Sequence, residues 1–131
     1  MNSLPRKVNL SDVSLLLGAV DWQDHSSQGR QGAQINYLYG SQQSGQSVAL
    51  VRFQPRSSAP THEHLGHESI FVIEGGYEDE YGHHVAGDLV VYQPGSRHSW
   101  RSETGAILYV VWGGMTQLVA NTTKKTMLTK A

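Results

Sequence analysis

The chain has no cysteine. Disulfides, thiolate metal sites, cysteine nucleophiles and thiol redox sensing are therefore all excluded. Charge is sparse at 16%, with a net charge of −1 and no basic block, so nothing marks nucleic acid or an anionic membrane as a partner. No apolar run approaches the roughly 20 residues needed to cross a bilayer. The segment Leu15-Leu16-Leu17-Gly18-Ala19-Val20 is short and follows Asp12 rather than a basic stretch, which argues against a signal peptide. The cytoplasm is the expected compartment. Helical periodicity is missing too, except in residues 10–22, where a short helix capped by Ser11 and a strand through Val13, Val20 and Trp22 fit equally well. With 131 residues there is room for one domain and one core.

What remains is a succession of short apolar runs punctuated by Gly and Pro. Strands are expected over residues 34–39, 47–53, 67–73, 77–81, 83–85, 89–93, 97–101, 106–112 and 115–120. Pro55 ends the second of these, residues 56–61 form a connection, and Gly75-Gly76 breaks or bends the third. Residues 1–9 and 121–131 read as a flexible terminus and tail around a core of about 32–113. The pattern predicts a single-domain all-β sandwich or barrel.

Two stretches carry chemistry. In Pro60-Thr61-His62-Glu63-His64 the two imidazoles share one face of an extended strand, and Glu68 follows four residues later. A lone His-x-His arises often by chance, and in a surface loop it binds nothing. About thirty residues on, Gly87-Asp88-Leu89-Val90-Val91-Tyr92-Gln93-Pro94-Gly95-Ser96-Arg97-His98 reads as a strand, a turn and a fourth donor, His98. Three imidazoles and a carboxylate suit one divalent transition ion, Fe(II) or Zn, with Mn or Ni also compatible.

The same residues resemble the motifs of the cupin superfamily. His62, His64, Glu68 and Gly75 match the first motif, although Arg56 stands where a Gly is usual six residues before the first His. Gly87, Gly95 and His98 match the second, with Gln93 in place of its usual Pro and Pro94 next to it. The string Glu-Gly-Gly-Tyr-Glu-Asp-Glu-Tyr-Gly at 74–82, with Ala86-Gly87 and Pro94-Gly95-Ser96-Arg97-His98, is similar to the cupin domain of ChrR-type anti-sigma factors. Acetylacetone-cleaving and related small dioxygenases belong to the same group. The resemblance implies a jelly-roll β-barrel (a double-stranded β-helix), His62, His64, Glu68 and His98 as metal ligands, a small-molecule ligand or substrate, and a homodimer. The anti-sigma activity of ChrR-type proteins lies in a separate helical zinc domain with His and Cys ligands, so that role is not carried over.

Three functions are compatible with this reading. They are an Fe(II) dioxygenase cleaving a small β-dicarbonyl or hydroxyketone, a non-catalytic zinc-binding module for ligand binding or sensing, and a metal-free ligand-binding barrel. Strand parity puts Trp100 on the face of His98 as a pocket residue, with Tyr92 and Arg52 as weaker candidates. Arg52 suits an edge or dimer contact equally, and Ile70 and Val72 read as core. His67 and Glu63 should face away from the ligands. His25 sits in a loop without a partner in view, and His83, His84, Asp79 and Glu80 are expected to be solvated around a hairpin.

Overall fold

The computed structural model describes residues 4–119 and the backbone of residues 126–129. A helix, α1 (Val13–Ala19), precedes strands β1 (Gln23–Asp24), β2 (Gln31–Gly40), β3 (Ser47–His64), β4 (Glu68–Asp79), β5 (Gly82–Val85), β6 (Leu89–Tyr92), β7 (Arg97–Ser102), β8 (Ala106–Trp112), β9 (Thr116–Val119) and β10 (Thr126–Thr129). The ambiguous opening is thus a helix. Its cap is Asp12, whose Oδ1 accepts from the Leu15 N–H at 3.0 Å, while Ser11 bonds to Asn9 instead. Residues 4–10 carry no regular structure, and residues 1–3 of the expected flexible terminus lie outside the described residues. Of the expected tail, 126–129 form β10 against β9, and the rest also lies outside them.

Two strands are far longer than their sequences suggest. β3 runs for 18 residues through Pro55 and Pro60, and β4 for 12 residues through Gly75-Gly76. Each pairs antiparallel with both β7 and β8, so the four close into a barrel of which β3 and β4 are shared staves. The prolines and glycines bend these staves and do not end them. The bending occurs at register shifts, one in β3 between Ala59 and His62, the other in β4 between Val72 and Glu74. Each shift reverses which alternate residues point inward. In β3 the buried set changes from Phe53, Ser57 and Ala59 to His62 and His64. In β4 it changes from Glu68, Ile70 and Val72 to Tyr77 and Asp79.

The core fills the barrel between these bends. Phe53 stacks on Trp100 with ring centroids 3.7 Å apart and meets Tyr77 edge-on at 5.9 Å. Val72, Leu108 and Val110 are fully enclosed beside them. At the β4 bend Gly75 has φ +75°, and a Cβ there would overlap the carbonyl oxygen of Gly105. Only glycine fits that crossing of two backbones.

Arg56 follows Pro55 in β3 with φ +59°, although it is not a glycine. A side chain in the left-handed region costs about 1–2 kcal/mol, against about 0.5–1 kcal/mol for the extra chain entropy of glycine. Arg56→Gly should therefore raise stability by about 0.5–1 kcal/mol, read as a higher urea midpoint at an unchanged m-value. An unchanged or lower midpoint would show that the Arg56 side chain makes compensating contacts.

Candidate metal centre

β3 delivers His62 and His64, β4 opens on Glu68, and β7 brings His98 opposite His62. All four side chains are buried, and one ligand atom from each lies within 4.8 Å of all the others. This convergence depends on the β3 bulge, which turns the even-numbered histidines inward.

Each imidazole is oriented through its Nδ1. The Nδ1–H of His62 donates to the Pro60 carbonyl at 3.3 Å and that of His98 to Asp79 Oδ2 at 3.0 Å, and His64 Nδ1 shares a hydrogen bond of 3.1 Å with Ser96 Oγ, which can accept its proton. The Nε2 lone pairs are left to face the middle of the cluster. The Pro94-Gly95-Ser96 turn holds His64 by its backbone as well, since Gly95 N–H donates to the His64 carbonyl and His64 N–H to that of Ser96.

Glu68 is held by its other oxygen, Oε2, which accepts from Trp112 Nε1 at 2.5 Å. Its Oε1 lies 3.0 Å from His64 Nε2 and 3.5 Å from His98 Nε2. With each Nδ1 donating, a neutral imidazole turns its Nε2 lone pair towards Glu68 Oε1, a contact that only a cation, a proton or a metal ion, makes favourable. His64 Nε2, His98 Nε2 and Glu68 Oε1 are accordingly buried without a hydrogen-bond partner. A divalent cation satisfies all of them, and an N3O donor set suits Zn or Fe(II). The residues fit the group.

The electrostatics point the same way. Burial pushes the His62 imidazole down to about 4, which keeps it in the neutral form that metals bind. Burial also opposes charge on His98, but its hydrogen bond to Asp79 and the nearby Glu68 carboxylate outweigh it and raise this group to about 9, so that in the absence of a metal a proton takes the cation's place there. Burial would raise the Glu68 carboxyl, and the neighbouring His64 and His98 hold it well below its ordinary value instead. Positive charge is favoured at the centre of the cluster.

Behind His98 lies a network the sequence reading missed. Asp79, expected in solvent, is buried, and its carboxylate accepts four hydrogen bonds. Oδ2 takes His98 Nδ1 at 3.0 Å and the Tyr92 hydroxyl at 2.6 Å. Oδ1 takes His84 Nε2 and the Tyr81 N–H, each at 2.9 Å. Because Tyr92 spends its proton on Asp79, the Tyr77 hydroxyl donates to Tyr92 at 2.7 Å. His84 is likewise buried, not solvated. The cause is the β4 register shift, which inverts the parity counted from Glu68. Gly75-Gly76 was its one signal in the sequence.

The other candidates divide. Trp100 lines a cavity of about 30 Å³ that also touches His62, Glu68 and His98. Tyr92 lies against the ligands, its ring centroid 4.3 Å from that of His98. Arg52 lies outside that cavity and borders a surface cleft with Leu17 and Pro55, because its neighbours Val51 and Phe53 take the inward positions. His25 was expected to stand alone, yet it lines the cavity with its ring 6.4 Å from that of Trp112. His83 is exposed and pairs with Glu78, Glu63 pairs with Arg97, and Glu80 accepts from Ser99. A larger open groove of about 790 Å³ lies between residues 56–58 of β3 and 75–78 of β4, away from the ligand set.

A jelly-roll barrel with three histidines and a glutamate converging inside it is a cupin with a site able to hold one metal ion. More narrowly, residues 11–116 match the ChrR Cupin-like domain, and the chain belongs to that family. No curated protein matches it in sequence. Among solved structures, a putative acetylacetone dioxygenase from Methylibium petroleiphilum superposes with a TM-score of 0.75 at 17% identity, covering 98% of this chain and 91% of that one. An acetylacetone dioxygenase from Acinetobacter johnsonii gives 0.74 at 15% identity over 98% and 88%. Rhodobacter sphaeroides SigE in complex with the anti-sigma ChrR gives 0.61 at 22% identity over 73% of this chain and 50% of that one. These likenesses establish the fold.

The ligand set and its support make different predictions. His64→Ala should abolish stoichiometric metal, and one metal per chain in that variant would remove His64 from the site. Asp79→Asn should keep the metal but bind it about ten- to a hundredfold more weakly, because His98 loses the acceptor that fixes its tautomer. Competition with a chromophoric chelator measures both. Wild-type affinity in Asp79→Asn would show that His98 is held by packing alone.

Proposed function

We propose that this chain is a metal-dependent dioxygenase that cleaves a small β-dicarbonyl or hydroxyketone, with Fe(II) held by His62, His64, Glu68 and His98. The observation that supports it is the open side of the ligand set. Beside His62, Glu68 and His98 the cavity is walled by apolar and aromatic side chains, including Phe53, Trp100 and Val110. A bound ferrous ion would supply a Lewis acid for the substrate oxygens and a one-electron partner for dioxygen. The protein supplies the rest. The Nδ1 bonds keep three imidazoles aimed inward, Trp112 fixes the orientation of the Glu68 carboxylate, and the Phe53–Trp100 stack walls the reacting side with apolar surface. The two acetylacetone dioxygenases that share the fold across nearly the whole chain make this substrate class the first to test.

One observation favours a second reading. The cavity, at about 30 Å³, holds one or two water-sized groups, whereas substrate pockets commonly reach several hundred. A β-diketone would have to displace lining side chains. A non-catalytic zinc cupin that binds or senses a small ligand needs no such room, and the ChrR Cupin-like match is compatible with it.

Metal analysis and oxygen consumption separate the two. Protein purified without an affinity tag or chelator is expected to carry about one iron per chain. After anaerobic Fe(II) loading it should consume oxygen in proportion to added β-diketone or hydroxyketone, and the zinc-loaded form should consume none. Native zinc with no uptake by the iron form would overturn the dioxygenase and leave the zinc module.

A further inference from the structure

Arg30 closes the loop before β2 and is 7% exposed, yet it lines the same small cavity as His62, Glu68 and His98. Its guanidinium donates through Nε to the His25 carbonyl at 3.0 Å and through its terminal nitrogens to Ser27 Oγ at 2.7 Å and Gln28 Oε1 at 3.4 Å. All three acceptors are neutral. Arg97 and Arg101 pair with Glu63 and Glu78, but among the described residues no carboxylate reaches Arg30. A guanidinium has five N–H groups, and these bonds account for three of them. Holding this loop together does not require a charge. The carboxylate that favours its charge is Glu68, which lines the same cavity; once a divalent ion takes up Glu68, a buried guanidinium at a ligand cavity calls for a further anion.

The charges at the site indicate how large that anion is. Glu68 and, behind His98, Asp79 are the two carboxylates, which together offset a divalent ion. Arg30 then remains as one positive charge in excess. His25, beside it, is kept neutral by burial.

We propose that the site takes a monoanion with a planar two-oxygen head group, a small carboxylate or the enolate of a β-dicarbonyl, and that Arg30 selects it. The planar fork of Arg30 matches such a head group, which a neutral ketone does not offer in charged form. The cavity admits the head group alone, so the ligand's remainder must occupy space opened around it. The inference rests on the metal-centre reading above and does not require reaction with dioxygen.

The test uses the zinc-loaded chain, with one zinc per chain verified, so that no redox chemistry intervenes. Binding of acetate, of acetylacetone and of neutral imidazole is followed by the fluorescence of Trp100 and Trp112, which both line the cavity. Arg30→Gln should weaken acetate or acetylacetone, or both, roughly tenfold or more, the loss expected when a charged hydrogen-bond partner is removed. Imidazole affinity should stay within about twofold. Arg30→Lys should recover part of the anion affinity by restoring the charge without the fork. Loss confined to acetate identifies a carboxylate ligand, and loss confined to acetylacetone identifies an enolate. Equal loss for imidazole and the anions would reduce Arg30 to a loop staple, and unchanged anion binding would remove it from the site; either overturns the proposal. Absence of zinc from the wild type would sink the metal centre itself, and a missing oxygen reaction would leave anion selection standing.

Discussion

Three neutral imidazole nitrogens and a carboxylate oxygen brought within a few ångströms of one another inside a β-barrel repel until a cation, a proton or a metal ion, lies among them. The surrounding structure is built to hold that unfavourable arrangement in place. Pro60, Ser96 and Asp79 each occupy one Nδ1, so no histidine can escape by turning its ring over. Trp112 takes the second oxygen of Glu68. The rings are thereby kept from rotating away, and taking up a proton or a metal ion is what relieves the cluster. The tethers come from β3 itself, from the turn before β7, from β4 and from β8, so the geometry of the centre is the geometry of the whole barrel.

Two β-bulges decide which side chains the barrel receives. The bulge in β3 follows the residues that form its core and presents the histidines. The one in β4 follows Glu68 and presents Tyr77 and Asp79. Each strand therefore contributes an apolar segment and a polar one to the same interior. A regular strand of that length would have sent one of the two outward.

This explains what the sequence revealed and what it concealed. The four ligand positions were legible because their spacing is local, two or four residues apart or fixed by a turn. The barrel was legible from its short apolar runs. Asp79 and His84 were placed in solvent because they flank a hairpin turn, and sequence alone does not say that the Gly75-Gly76 pair marks a bulge that turns Tyr77 and Asp79 inward. Pro55 was taken as the end of a strand that continues past it, and residues 56–61, Pro60 among them, as a connection. Arg52 was weighed as a pocket residue and Arg30 was not, because the path of the loop from His25 to Arg30 over the cavity is a tertiary fact with no periodic trace.

The inner strand of the centre is enclosed from both sides. His62 has His98 as its register partner on one side and Leu118 on the other, while His64 faces Thr116. β9, which supplies Thr116 and Leu118, is added to the barrel after every ligand has already been synthesised. Until it docks, the segment carrying His62 and His64 is an unprotected sheet edge, able to pair with any passing strand. The nascent chain thus carries all four ligands before it has a place to put them, and the interval that ends with β9 is when misassembly and premature capture of metal are both open to it.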